Sequence, residues 1–158
     1  MPIKHPTPPP KPGVVNTTVD AIREIRALLA AHYPIIWITS HEEHRVIRAL
    51  NTAVKGLPTY ANCDLVPWSV TKGFVKKTDA NTGYETGDGT TILADALQKI
   101  AESGETRPQI YVLRDIADFV SPDSTQVDVI RAFRDLAALL VHKRNAKIVC
   151  ISPSVSLH

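Results

Sequence analysis

Histidine and carboxylate side chains are concentrated at two points where the sequence predicts that a buried strand ends. His41-Glu42-Glu43-His44 follows the apolar run 35–38, and Asp115 follows the apolar run 110–113. Histidine and acidic side chains bind metals and transfer protons. Two histidines that share a metal in the zincin pattern stand four positions apart on a helix, whereas His41 and His44 are three positions apart. This spacing favours a surface or structural pair, with a metal site as the alternative.

A phosphate-binding loop at the first of these points would need glycines and a lysine followed by serine or threonine. Segment 40–45 has no glycine and no lysine. It carries Glu42 and Glu43 at a predicted helix N-terminus, where carboxylates suit the helix dipole but repel a triphosphate. We therefore expect that this point does not bind the phosphates of ATP.

A second glycine-rich segment, GYETGDGTT over 83–91, also leads into a predicted helix. Asp88 or Gly89 stands where a phosphate-binding loop has its lysine, so the pattern again lacks the cation that binds phosphate. The glycines and polar residues predict a flexible loop.

Asp115 has the position of a Walker B aspartate, which holds a nucleotide-bound Mg²⁺ at the end of an apolar strand. An ATPase usually has a glutamate next, to polarise the attacking water, and this chain has Ile116. Because no phosphate loop lies opposite, we interpret Asp115 as a degenerate Walker-B-like residue. The alternative is an aspartate that caps a turn or a helix.

Arg131 and Arg134 lie one turn apart in a predicted long helix, where they could reach a neighbouring subunit or simply form a solvated face. We take them as candidate interaction residues. The other candidates are Trp68, His41, Glu42 and Glu43.

Composition excludes several classes of protein. The chain has 158 residues, 44% of them hydrophobic and 22% charged, which is ordinary for one globular domain. No apolar run approaches the ~18 residues that span a bilayer. A net charge of +2 gives no electrostatic case for nucleic acid. Cys63 and Cys150 form no CxxC pair, which favours a reducing cytoplasm.

Proline is the compositional outlier, and half of the 12 prolines precede Gly13. Residues 1–16 therefore predict a disordered leader, and 17–158 a folded domain. The leader also fits a PxxPxK ligand over residues 6–11, so a stand-alone adaptor is an alternative function.

Apolar periodicity predicts alternating elements along the folded part. Stripes at helical spacing predict helices over 17–32, 42–55, 91–103 and 125–142. Apolar β-branched runs predict strands over 35–38, 110–113 and 146–151, with weaker β character over 59–70 and a long loop or irregular hairpin over 71–90. This order predicts an α/β fold, a parallel sheet with helices on both faces.

Six segments in order resemble the N-terminal region of the Ycf-type AAA ATPases of cyanobacteria and plastids. They are YPIIWI (33–38), EEHRV (42–46), WSVTKG (68–73), YVLRDIADF (111–119), VIRAFRDL (129–136) and IVCISP (148–153). The resemblance implies a degenerate RecA-like module, similar to a P-loop NTPase but without the P-loop. It implies that ATP and Mg²⁺ bind only in a following AAA module, and that this segment needs no cofactor.

The resemblance also implies a function. We expect a non-catalytic interaction and assembly domain whose partners are the following AAA module or other subunits, including copies of itself, in the cytoplasm or plastid stroma. We further expect that the last strand and the helical lid of a complete module are missing. A small metal-dependent enzyme using His41, Glu42, Asp115 and Asp118 is the alternative from another class.

Overall fold

The computed structural model describes residues 18–143 and 145–153, so the predicted leader lies outside the described residues. The helices are α1 (Thr18–Ala30), α2 (Glu43–Lys55), α3 (Leu93–Glu102), α4 (Ala117–Val120) and α5 (Val127–His142). The strands are β1 (Ile35–Thr39), β2 (Asp64–Ser69), β3 (Gly73–Thr78), β4 (Glu85–Gly87), β5 (Gln109–Arg114) and β6 (Ala146–Ser152). No helix in the described part is long and apolar enough to cross a membrane.

All strands form one sheet in the order β1-β6-β5-β2-β3-β4. Strands β1, β6, β5 and β2 run parallel, and β3 and β4 are antiparallel to their neighbours. Every residue of β5 and β6 is buried, because these two strands have a neighbour on each side and helices on both faces. The predicted α/β, RecA-like arrangement with a mostly parallel sheet is confirmed.

Alternating side chains of the sheet enter two separate cores. Ile110 and Val112 join the core under α1 and α2, whereas Tyr111 and Leu113 join the core under α3, α4 and α5. This alternation follows from the two-residue period of a strand. It explains why four consecutive apolar residues are needed in a strand that has helices on both faces.

The segment 71–90 is a hairpin, β3–β4, with a register shift between Val75 and Lys77. The Asp88 carboxylate accepts hydrogen bonds from the N–H groups of Phe74 at 3.0 Å and Thr90 at 2.9 Å. These bonds hold the segment that follows β4 against the start of β3. A β-carbon at Gly87 would collide with the Lys72 carbonyl, so the close approach there requires glycine. Of the two alternatives predicted for 71–90, the irregular hairpin is confirmed, and a partly buried carboxylate organises the turn after β4.

Two further details differ from the sequence prediction. The β structure over 59–70 is confined to β2, and Tyr60 lies in a turn that buries its ring almost completely. The short helix α4 was not predicted, because four residues contain too few positions to show a helical period.

The carboxyl edge of the sheet as a candidate functional site

Four parallel strands end at one edge of the sheet, which we call the carboxyl edge. In open α/β sheets, this is where ligands bind. The Ser40 N–H donates to the Ser152 carbonyl at 2.9 Å, and the Asp115 N–H donates to the Ile151 carbonyl at 2.9 Å. Strand β6 lies between β1 and β5, and these bonds join the ends of both strands to it. The N-termini of α2 and α4 start at the same edge.

A buried arginine, Arg114, organises this edge. Its Nη1 and Nη2 atoms donate to the two carboxylate oxygens of Glu85 at 3.1 and 2.8 Å, and its Nε donates to the Trp68 carbonyl at 3.2 Å. Nη1 also lies 3.8 Å from Oε2 of Glu43. One guanidinium therefore joins the end of β2, the start of β4 and the start of α2. Bidentate pairs of this kind are the stronger and more specific form of ion pair.

The pKa values of the two carboxyl groups nearest Arg114 shift in opposite directions, although Arg114 lowers both. Hydrogen bonds from Arg114 hold the pKa of Glu85 below its ordinary value. Burial raises the pKa of Glu43, and the charge and hydrogen bond of the neighbouring Asp115 carboxyl raise it further, against the attraction of Arg114. Two carboxylates that lie close together repel each other, which disfavours the charged form of Glu43. Glu43 and Asp115 thus form a carboxyl pair beside an Arg114–Glu85 ion pair.

The junction between β1 and α2 is built differently from a phosphate-binding loop. The Ser40 hydroxyl accepts the Glu42 N–H at 3.0 Å, and α2 starts at Glu43 without a side-chain cap. The Glu43 carboxyl faces Arg114 and Asp115. An anion approaching this helix N-terminus would meet carboxyl groups before it reached the backbone N–H groups, which opposes binding of a triphosphate.

Asp115, the Walker-B-like residue, adopts a left-handed backbone conformation with φ of 58°. Aspartate tolerates this region better than most residues, although it is still uncommon. Its side chain is exposed and in hydrogen-bond contact with Glu43. The structure therefore brings Glu43 and Asp115 together, two residues that the sequence singled out separately.

The remaining predicted residues do not join this cluster. His41 and Glu42 are exposed, and Glu42 pairs with Arg45 at 2.9 Å. Arg134 is exposed on α5, and Arg131 pairs with Asp135 at 3.1 Å. Within the described ranges, no group of three or more His, Cys, Asp or Glu side chains is arranged to hold a metal ion.

Trp68 requires a correction, because it is not a surface contact. Its side chain is fully buried, and the indole N–H donates to the Thr90 carbonyl at 2.7 Å. The ring fills the core under α3 and anchors the loop before that helix. Its bulk and its single polar atom make it suited to a core site with one hydrogen-bond acceptor.

Arg114 and Glu85 are the residues that sequence reasoning missed. Arg114 ends an apolar strand and Glu85 lies in a polar segment, so each looks like an ordinary surface residue. The only signal was that the arginine follows four buried positions directly, where a charge needs a partner.

Replacing Glu43 by glutamine is expected to stabilise the protein at pH 7. Because folding raises the pKa of Glu43, this carboxyl favours the folded state most at pH values below its pKa in the unfolded chain. That contribution to stability is lost as the pH rises through the pKa of the folded state. The neutral amide avoids this loss, so its advantage should shrink as the pH falls toward the ordinary carboxyl range. Urea unfolding at several pH values measures the difference. The exposed Glu42→Gln serves as control, and a Glu43→Gln variant less stable than wild type at pH 7 would contradict the prediction.

Comparison with known proteins places this geometry in a family. Residues 21–157 match the model of the SpoVK-like AAA ATPase, N-terminal domain. A protein of Guillardia theta described as an uncharacterized AAA domain-containing protein, ycf46, is 25% identical over 131 residues, which cover 83% of this chain and 24% of that protein. The chain therefore spans about a quarter of that relative. No solved structure gives a significant match. With the family model covering nearly all of the folded region, the chain belongs to the SpoVK-like AAA ATPase N-terminal domain family.

Proposed function

We propose that this chain is a non-catalytic interaction and assembly domain of an AAA-type ATPase and does not hydrolyse ATP by itself. Its role is to hold a rigid surface against the following AAA module or against other subunits. ATP and Mg²⁺ are bound by that following module, and this segment uses no cofactor.

The observation that carries the proposal is the Arg114 network at the carboxyl edge. A nucleotide site would need this edge open and lined by donors, with an acidic residue free to hold Mg²⁺. Here each nitrogen of the Arg114 guanidinium already donates to Glu85 or to the Trp68 carbonyl, and Asp115 is in contact with Glu43. The chain's own side chains therefore supply the charges that a bound nucleotide would otherwise bring.

Exposed apolar side chains beside the same edge support an interaction role. Val70 follows β2 directly and is 51% exposed, Tyr84 precedes Glu85 and is 66% exposed, and Ile92 caps α3 and is 63% exposed. The Lys72 ammonium lies 4.8 Å from the centre of the Tyr84 ring. Large apolar side chains that remain exposed are typical of contact surfaces. Exposed polar groups for the same purpose are offered by Arg131, Arg134, His41 and Glu42.

The compartment is a further part of the proposal. Cys63 and Cys150 are both free thiols, and Cys150 is buried in the sheet. Free thiols suit a reducing compartment, which is the cytoplasm or a plastid stroma.

Titration calorimetry with Mg-ATP tests the proposal directly. We expect no binding with a Kd below about 1 mM, which is about −4 kcal/mol. A matched variant, Glu43→Gln with Asp115→Asn, removes the carboxyl pair and leaves Arg114 in place. It should also fail to bind, because the β1–α2 junction still has no glycine-built cradle. Micromolar binding by the wild-type chain would refute the proposal.

A further inference from the structure

The segment that follows β5 carries only negative charge. Residues 115–128, which we call the acidic segment, contain four aspartates and no lysine, arginine or histidine. All four aspartates are exposed: Asp115, Asp118, Asp123 and Asp128. The cations that flank the segment in the sequence, Arg114 and Arg131, pair with Glu85 and Asp135 instead. Among the described residues, no cation therefore forms an ion pair with this segment.

Positive charge is concentrated on the β3–β4 hairpin. We call residues 72–84 the lysine hairpin, because they contain Lys72, Lys76 and Lys77 and only one acid, Asp79. The Asp79 carboxylate accepts two backbone N–H groups of its own turn. Lys76 and Lys77 are exposed, and neither forms an ion pair with another described residue. The hairpin thus carries positive charge that its own chain does not balance.

Each charged surface also exposes one large apolar side chain. Val127 is the first residue of α5, next to Asp128 in the sequence, and is 73% exposed. Tyr84 ends the lysine hairpin and is 66% exposed, with the Lys72 ammonium over its ring. Protein interfaces typically have an apolar or aromatic centre and a polar rim. Both surfaces have this composition.

The two surfaces lie on different parts of the sheet. The hairpin contains β3, and β2 separates β3 from β5, which is a distance of about 10 Å at the ordinary strand spacing. The acidic segment leads from the end of β5 into α5, whose Phe133 packs on Trp37 of β1. It therefore runs towards the far edge of the sheet, away from the hairpin. At physiological salt, charges screen each other beyond about 8 Å, so the two surfaces do not neutralise each other within one chain.

Charge decides which of these surfaces can meet between molecules. Two lysine hairpins, or two acidic segments, would repel each other, because like charges that face each other across an interface cost free energy. A hairpin that faces an acidic segment instead brings three lysines towards four aspartates. Since every copy of the chain carries both surfaces, a second copy supplies the complement of each.

We propose that the acidic segment of one copy of this chain docks on the lysine hairpin of a second copy. The aspartates face Lys76 and Lys77, and Val127 packs against Tyr84. Because two different surfaces meet, the contact is head-to-tail and not a symmetric pairing of one surface with itself. The inference names a partner for the assembly role proposed above, and it rests on that role.

Sedimentation velocity of the full chain over a range of concentrations tests the proposal. We expect reversible self-association with a Kd of about 10–100 μM in about 50 mM salt. In about 500 mM salt the Kd should rise at least about five-fold, because salt screens exposed charges. A chain that stays monomeric up to about 1 mM in the low salt would overturn the proposal.

Charge reversal identifies the two surfaces. Lys76→Glu with Lys77→Glu should abolish self-association, and so should Asp118→Lys with Asp123→Lys. An equimolar mixture of these two variants should associate again, because the first retains its acidic segment and the second retains its lysine hairpin. Circular dichroism establishes that each variant is folded. Association that neither reversal weakens, or folded variants that do not associate when mixed, would overturn the proposal.

A matched control separates this contact from an effect of net charge. Arg23→Glu with Lys55→Glu changes the net charge by the same amount at exposed positions of α1 and α2, and it should associate like the wild type. Titration with Mg-ATP distinguishes the two proposals. A monomeric chain that also fails to bind Mg-ATP would overturn only the head-to-tail contact, whereas micromolar binding of Mg-ATP would refute the proposed function at any measured mass.

Discussion

Replacing Arg114 by methionine is expected to lower the free energy of unfolding by about 3–5 kcal/mol at pH 7. The Arg114 side chain is only 7% exposed. Its guanidinium pairs with Glu85, whose side chain is 14% exposed. Removing the cation leaves a shielded carboxylate and the Trp68 carbonyl without their donor. A domain of this size is stable by only about 5–15 kcal/mol, so the loss is a large fraction of the total.

Urea unfolding measures this loss, and Arg107 provides the matched control. Arg107 pairs with Asp64 at 3.2 Å, but the two side chains are 62% and 46% exposed. Arg107→Met should therefore cost less than about 1 kcal/mol. The pKa of Glu85 is lowered by Arg114, so the stability that the pair adds is present above the unfolded pKa and lost as the pH falls through the folded pKa. The two variants should differ less in acid, and equal losses at pH 7 would contradict the prediction.

Trp68→Ala is expected to cost about 3–5 kcal/mol, because it empties a large, fully buried site in the core under α3. Trp68→Phe keeps most of the apolar volume but leaves the Thr90 carbonyl without the indole N–H. That variant should lose about 1–3 kcal/mol. The graded pair separates the contribution of ring volume from that of the hydrogen bond.

Thermal or urea unfolding of both variants decides whether Trp68 is a core residue or a contact for a partner. The neighbouring Val70 is the control, since it is 51% exposed and Val70→Ala should change stability by less than about 0.5 kcal/mol. If Trp68→Ala were as stable as Val70→Ala, the ring would not support the fold, and its placement in the core would be wrong.

The Arg114 network joins the segments at this edge through the chain's own side chains. In a nucleotide-binding sheet, phosphates and Mg²⁺ neutralise the charges that meet where the strands end. Here Glu85 neutralises Arg114 from within the chain, and Arg114 joins β2, β4 and α2.

Local patterns predicted the elements that line this edge. Runs of four apolar residues identify β1 and β5, because a strand buried on both faces is apolar at every position. An apolar stripe at helical spacing identifies α2, because only one side of that helix is buried. The lack of glycine between β1 and α2 could also be seen in the sequence, because it depends only on which residues follow one another.

The sequence by itself thus determined the α/β class, the positions of the main helices and strands, and the absence of a phosphate-binding loop between β1 and α2. Only the tertiary structure decided that Arg114 is buried, that Glu85 meets it from 29 residues away and that Trp68 is a core residue. The order β1-β6-β5-β2-β3-β4 brings these groups together, and it leaves β1 at a free edge of the described sheet. The physical reason is that a local period records which side of an element is apolar, whereas the partner of a buried charge depends on which distant segments the sheet places side by side.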